Sequence, residues 1–205
     1  MTRTARERTL SRSDVSAMWF FIVAGVALVG VSAYFGIARI VEAAGGRVQV
    51  PAVFEGTTGQ APIGPDGAMR DVELQTALLS PDSLSVAGMG ALVLEQALAV
   101  VSIATVVGCL IAVTASVLRG RVFSRRNTAL VSTAGIAGLA GLAGVPFFGN
   151  MVANDAFRSI SQRTFDNVIM SVNLSHLLLA AFVVAIVTTV FTVGDRLQRE
   201  TDLLV

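Results

Sequence analysis

One short polar stretch limits what this chain can fold into, because it lies between two long apolar runs. Residues 119–127 read RGRVFSRRN and hold four arginines and no acid. The run on either side is long enough to cross a hydrocarbon core of about 30 Å as a helix. Arginine-rich loops between membrane spans stay in the cytoplasm. The sequence therefore predicts a polytopic membrane protein with a cytoplasmic arginine loop.

The composition argues against a soluble domain and against several kinds of site. Hydrophobic residues make up 54% of the 205 residues and charged residues 14%, whereas soluble domains carry about 25% charged residues. The net charge of +1 disfavours direct nucleic-acid binding. With a single cysteine, Cys109, and a single histidine, His176, the chain lacks the pairs needed for an internal disulfide, a zinc site or a bis-histidine haem. No catalytic or phosphate-loop spacing occurs, so we predict a non-enzymatic protein without a cofactor or metal.

Hydropathy and charge divide the chain into nine segments, four of them membrane spans. The spans are predicted at residues 17–38, 91–118, 128–148 and 174–193. Residues 1–16 and 194–205 form tails, and residues 119–127 form the arginine loop. Segments 39–90 and 149–173 lie on the opposite side of the membrane. A cleaved signal peptide is the alternative for the first run, but the length of that run and the further spans favour a membrane span.

The distribution of arginine predicts the orientation of these spans. Ten of the 15 arginines fall in the two tails and the arginine loop, and five fall in the other two segments. This asymmetry predicts both termini in the cytoplasm. Abundant Ala, Gly and Val without lysine point to a bacterial genome. The predicted fold class is an all-α membrane protein with four transmembrane helices, in the bacterial cytoplasmic membrane, carrying a small extracytoplasmic β-hairpin or three-stranded sheet.

The segment after the first span contains the expected β-structure. Residues 48–50 and 71–75 alternate apolar and polar side chains, and turn-forming residues fill positions 56–67 between them. A two-stranded hairpin is marginal alone, so residues 168–174, which also alternate, are expected to add a third strand. Ser80, Pro81 and Asp82 carry the signals of a helix start, which predicts that the second helix begins there. Gly88 and Gly90 are candidate break points within it.

Two residues near the outer ends of spans are candidates for chemistry. An intramembrane carboxylate is a functional hypothesis by default, and Glu95 is the acid nearest a span. Its distance from the arginine loop favours a hydrated, interfacial side chain instead. His176 is expected at the outer end of the fourth span, bonded to loop backbone. Cys109 is expected to be a small buried hydrophobe.

The third span carries a repeating pattern of small residues. Glycine occurs at every third position, at Gly135, Gly138, Gly141 and Gly144, with alanines between. Such surfaces let helix backbones approach closely in lipid, so we predict a helix-packing role. A pore lining is the alternative, but no intramembrane ion pair or series of acids marks a conduction path.

The two stretches predicted to lie in the cytoplasm resemble motifs of a known family. Residues 119–127 resemble the "RGRPF-T/S-RRN" turn of the YoaS-like group, and residues 190–205, VFTVGDRLQRETDLLV, resemble its closing "VFRRGxxLRxDTxxLV". Val122 here replaces the turn proline, and Thr192 and Val193 replace a basic pair. The group consists of small four-span bacterial membrane proteins of unknown function, often encoded beside a helix-turn-helix regulator. The resemblance implies a membrane partner for a transcription factor and no enzymatic activity.

Charge complementarity predicts how the cytoplasmic face is built. We expect the C-terminal tail to pack on the arginine loop with its acids facing Arg121, Arg125 or Arg126. Helical continuation past Gly194 would also place Asp195 four residues from Arg199, and Arg196 four residues from Glu200. The candidate residues are Arg119, Arg121, Arg125 and Arg126 in the loop and Asp195, Glu200 and Asp202 in the tail. The alternative is that the arginines only set topology and attract anionic lipid, at about 1 kcal/mol each.

Two functions remain open at this point. The first is a regulatory or signalling membrane protein that holds a cytoplasmic partner, such as a helix-turn-helix regulator. The second is a structural accessory subunit, packed in the bilayer against the subunits of a larger membrane complex.

Overall fold

The computed structural model describes the backbone of residues 12–119, 122–165 and 172–202, and side chains within residues 15–119, 122–165 and 172–200. Within these ranges the chain forms four long helices and one antiparallel hairpin. In chain order they are α1 (Arg12–Ala44), β1 (Val50–Ala61), β2 (Arg70–Leu79), α2 (Val86–Leu118), α3 (Arg125–Ile160) and α4 (Leu174–Asp202).

All four helices are long and apolar enough to cross a membrane. This confirms the predicted number of spans and indicates a multi-pass membrane protein. Large apolar side chains point outward from the helices, as Trp19 and Phe182 do at 61% and 62% exposure. In lipid, such surfaces need no protein cover, because the acyl chains are as apolar as the side chains.

The chain divides into two compact units, which are described separately. The first comprises Met1–Ser32, Ser102–Leu139 and Leu178–Val205, and the second comprises Ala33–Val101 and Ala140–Leu177. In the first unit, α1 meets α2 at a glycine: a Cβ added to Gly25 would lie 2.8 Å from Cγ1 of Val107. Close approach at small residues is the usual way in which helices associate in lipid.

In the second unit the predicted hairpin is present, with longer strands than expected. The ladder runs from Val50 opposite Leu79 to Ala61 opposite Arg70, with a register shift between Val53 and Thr57. Gly56 lies within the shift at a φ of 64°, a conformation that glycine adopts without strain. The turn formers at 56–61 therefore belong to β1. The proposed third strand, residues 168–174, falls largely on residues 166–171, outside the described part, and Leu174 already begins α4.

The predicted start of α2 at Ser80 is wrong, because the helix begins at Val86. Strand β2 continues to Leu79, so residues 80–85 are needed to connect the strand to the helix. Ser85 takes the capping role instead: its Oγ accepts the N–H of Gly88 at 3.1 Å. The helix then continues through Gly88 and Gly90 without a break.

A carboxylate from α3 strengthens this helix start. Asp155 accepts the backbone N–H of Ser85 at 2.8 Å and its hydroxyl at 2.6 Å. A side chain at Gly88 would overlap with the Asp155 carboxylate, so glycine is what allows the approach. A negative charge at a helix N-terminus is favourable, because it complements the helix dipole.

The core of the second unit explains why α3 is longer than the predicted span at 128–148. Residues 149–160, predicted as loop, continue the helix and bury Val152, Ala153, Ala156 and Phe157. These side chains recur at helical spacing and pack with the hairpin and the first turns of α2. Phe157 lies edge-on to the ring of Phe54, with centroids 5.1 Å apart.

Candidate functional site

The arginine loop is tied to the start of α3 by side-chain hydrogen bonds. Ser124 caps the helix, because its Oγ accepts the N–H of Asn127 at 3.2 Å. Asn127 is fully buried, and its Nδ2 donates to the Val122 carbonyl at 2.9 Å. Arg125 and Arg126, which were predicted as loop residues, form the first turn of α3. Residues 122–127 are therefore held together by hydrogen bonds among themselves.

An aromatic contact joins this connection to α4. The ring of Phe123 packs edge-on against Phe191, with centroids 5.6 Å apart. A side chain at Gly194 would overlap with the Phe123 ring, so the ring lies directly on the backbone of α4. The two stretches that carry the family resemblance thus contact each other through Phe123, Phe191 and Gly194.

A shallow cavity of about 580 Å³, widely open to its surroundings, lies beside this contact. We call its lining the loop–tail face, defined by Phe123, Ser124, Arg125, Arg126, Asp195, Gln198 and Arg199. It brings together three of the predicted site residues, Arg125, Arg126 and Asp195. Two other predicted site residues, Arg119 and Glu200, are exposed and do not belong to this lining. Arg121 lies outside the described residues, as does the side chain of Asp202.

Helical continuation past Gly194 is confirmed, since α4 runs to Asp202. As predicted from the spacing, Arg199 forms a salt bridge with Asp195, whose side chain is 17% exposed. Such a pair stabilises a helix by only about 0.2–0.5 kcal/mol. It is the one salt bridge among the side chains that the structure describes, so the expected pairing of a tail acid with Arg125 or Arg126 does not occur as a salt bridge in that part of the chain.

The four glycines of the third span make different contacts. A side chain at Gly135 would overlap with Val184 of α4, and one at Gly144 would overlap with Leu98 of α2. A Cβ at Gly138 would lie 3.8 Å from Val106 of α2, an ordinary contact distance. Gly141 is half-buried. Because helical residues nine apart lie on opposite faces, Gly135 and Gly144 can meet two different helices.

The remaining candidates differ in their surroundings, and the expectation of a hydrated Glu95 is wrong for one of its two carboxylate oxygens. Glu95 lies within α2 beside Gly149, and its Oε2 is buried with no hydrogen-bond partner in the described part of the chain. The side chain of His176 is exposed, and its backbone N–H donates to Oδ1 of Asn173 at 3.1 Å, capping α4. Cys109 is buried. Among the described residues, no group of His, Cys, Asp and Glu could hold a metal ion.

The sequence reasoning found the charges of the loop–tail face but missed its contacts. Phe123, Asn127 and Gly194 were part of the two motifs, but no contact was predicted for them. A serine three residues before Asn127, at the start of a long helix, was the signal for the cap. The glycine near the end of an apolar helix was the signal for a close contact.

No protein-family model, curated protein or solved structure matches this chain. The resemblance to the YoaS-like group therefore stays a prediction from the two motifs.

Proposed function

We propose that this protein is a non-enzymatic regulatory membrane protein that holds a cytoplasmic partner at its loop–tail face. The observation that supports the proposal is the contact of Phe123 with Phe191 and Gly194. Through this contact, the connection between α2 and α3 and the end of α4 form one surface. Arginine side chains such as Arg125 and Arg126 suit acidic protein surfaces, because a guanidinium group can bind a carboxylate bidentately.

The proposal includes an orientation and a location. Both termini and the loop–tail face lie in the cytoplasm, and the β-hairpin lies outside a bacterial cytoplasmic membrane. The arginine asymmetry of the sequence supports this arrangement. The resemblance to the YoaS-like group suggests that the cytoplasmic partner is a small helix-turn-helix regulator, so contact with nucleic acid would be indirect.

Affinity purification from membranes in a mild detergent tests the proposed role. The double reversal Arg125→Glu with Arg126→Glu changes the loop–tail face. Arg119→Glu with Arg196→Glu makes the same charge change at exposed positions outside its lining. A partner that co-purifies with the parent should be retained by the second variant and lost from the first. Retention by both correctly inserted variants would contradict the proposal, and equal loss from both would show that only total charge matters.

A structural accessory role is the second candidate. Gly30 in α1 and Gly108 in α2 are exposed, and a Cβ added to either would have no atom within 4 Å. Small open positions can accept a helix from another subunit. This role predicts that Gly30→Leu and Gly108→Leu abolish co-purification of an integral membrane protein, whereas the regulatory role predicts no effect on the partner.

A further inference from the structure

The cavity on the loop–tail face has an excess of positive charge. Three arginines and one acid contribute to its lining, which leaves a formal charge of +2. Asp195 is engaged by Arg199 through their salt bridge. Arg125 and Arg126 are exposed and form no salt bridge with any side chain that the structure describes. The unneutralised charge is therefore concentrated on two adjacent residues.

The stability of α3 does not explain why arginines occupy these positions. Arg125 and Arg126 form the first turn of the helix. The dipole makes that end of a helix positive, so an acid there is stabilising and a cation is destabilising. Orientation in the membrane requires positive charge on this side, but it does not require the charge to line a cavity.

The chemistry of the cavity matches a phosphate group. Arginine guanidinium groups present a planar fork of N–H donors that fits two phosphate oxygens. The amide of Gln198 and the hydroxyl of Ser124 add neutral donors to the same lining. Phe123 supplies an apolar wall. Basic pockets at the ends of spans bind lipid headgroups in this way.

We propose that Arg125 and Arg126 bind a phosphate group in this cavity, carried by an anionic phospholipid headgroup or present as free phosphate. This goes beyond the holding of a protein partner. The two proposals fail separately, because purification of partners tests one and a titration of the isolated protein tests the other.

The test is a binding titration of the purified full-length protein in a neutral detergent. Binding is measured by the change in melting temperature. The probes are short-chain phosphatidylglycerol, short-chain phosphatidylcholine and inorganic phosphate. Arg125→Gln with Arg126→Gln is compared with Arg119→Gln with Arg196→Gln, which removes the same charge outside the cavity. We expect the cavity variant to bind phosphatidylglycerol about 100-fold more weakly than the parent, because it loses two charge-assisted hydrogen-bonding groups, and the control variant to bind within about twofold of the parent.

The probes also identify the source of the phosphate. If inorganic phosphate binds the parent as tightly as phosphatidylglycerol and shows the same dependence on Arg125 and Arg126, the ligand is free phosphate; a preference for phosphatidylglycerol identifies a lipid headgroup. Equal weakening in the control variant, equal binding of phosphatidylcholine, or no loss in the cavity variant would overturn the proposal. Should the double variant fail to fold, the single variants, each expected to weaken binding about tenfold, decide the same question.

Discussion

Replacing Phe157 with alanine is expected to lower the free energy of unfolding by about 3–5 kcal/mol. The side chain is 6% exposed and lies within the buried cluster of the second unit. Its ring packs against Phe54 and Phe165, with centroid distances of 5.1 and 5.3 Å. Alanine would remove these contacts and leave a cavity that the surrounding helix and hairpin cannot fill.

Thermal unfolding in mild detergent, together with limited proteolysis of the hairpin, measures this effect. Phe182→Ala is the matched control, because it makes the same chemical change at a side chain that is 62% exposed. We expect Phe157→Ala to melt well below the parent and to expose the hairpin to protease, while Phe182→Ala behaves like the parent. Similar melting of the two variants would show that the cluster does not stabilise the protein.

Replacing Gly135 or Gly144 with leucine is expected to destabilise the helix bundle by about 1–3 kcal/mol or more. At each position even a Cβ would overlap with a side chain of a neighbouring helix, Val184 for Gly135 and Leu98 for Gly144. The helices would have to move apart, and they would lose the close packing that holds them together in lipid.

The controls for the glycine variants are Gly30→Leu and Gly108→Leu, where an added Cβ meets no atom within 4 Å. Melting temperature and monodispersity in detergent should fall for Gly135→Leu and Gly144→Leu and stay at the parental values for the controls. Gly138→Leu should have a smaller effect than either, because the nearest atom is 3.8 Å from its Cβ position. If Gly135→Leu and Gly144→Leu melt like the Gly30→Leu and Gly108→Leu controls, the packing role is wrong.

The four helices could be predicted from the sequence because lipid imposes a simple rule on composition. A helix that faces acyl chains must be apolar over about 20 residues, and this is visible without knowledge of any contact. This rule does not predict the last part of α3. Residues 149–160 are helical because Val152 and Phe157 are buried by the hairpin, and a hydropathy pattern does not reveal such tertiary packing.

The hairpin and the start of α2 illustrate competition between local signals. Glycine and threonine at 56–59 read as turn formers, but pairing with β2 draws them into the ladder. Ser80, Pro81 and Asp82 read as a helix start, but the chain needs those residues to leave β2. Ser85 became the cap because Asp155, 70 residues away in the sequence, holds it in place.

Charged residues of the loop–tail face could be predicted from the sequence, but their arrangement in space could not. The spacing of Asp195 and Arg199 was sufficient to predict their salt bridge, because the geometry of a helix is regular. The contact of Phe123 with Gly194 joins residues 71 positions apart, and no periodicity links them. Long-range contacts of this kind require the folded structure.

Dual topology reporters test the central claim, which is a four-span protein with its hairpin outside and its loop–tail face inside. Alkaline phosphatase is active only outside the cytoplasm, and a green fluorescent protein fusion to the C-terminus reports the cytoplasmic side. Phosphatase inserted within residues 56–67 should be active, phosphatase fused at Val205 should be inactive, and the fluorescent fusion at Val205 should be bright. An active phosphatase at Val205, with an inactive one in the hairpin, would contradict the orientation and with it the proposed cytoplasmic role.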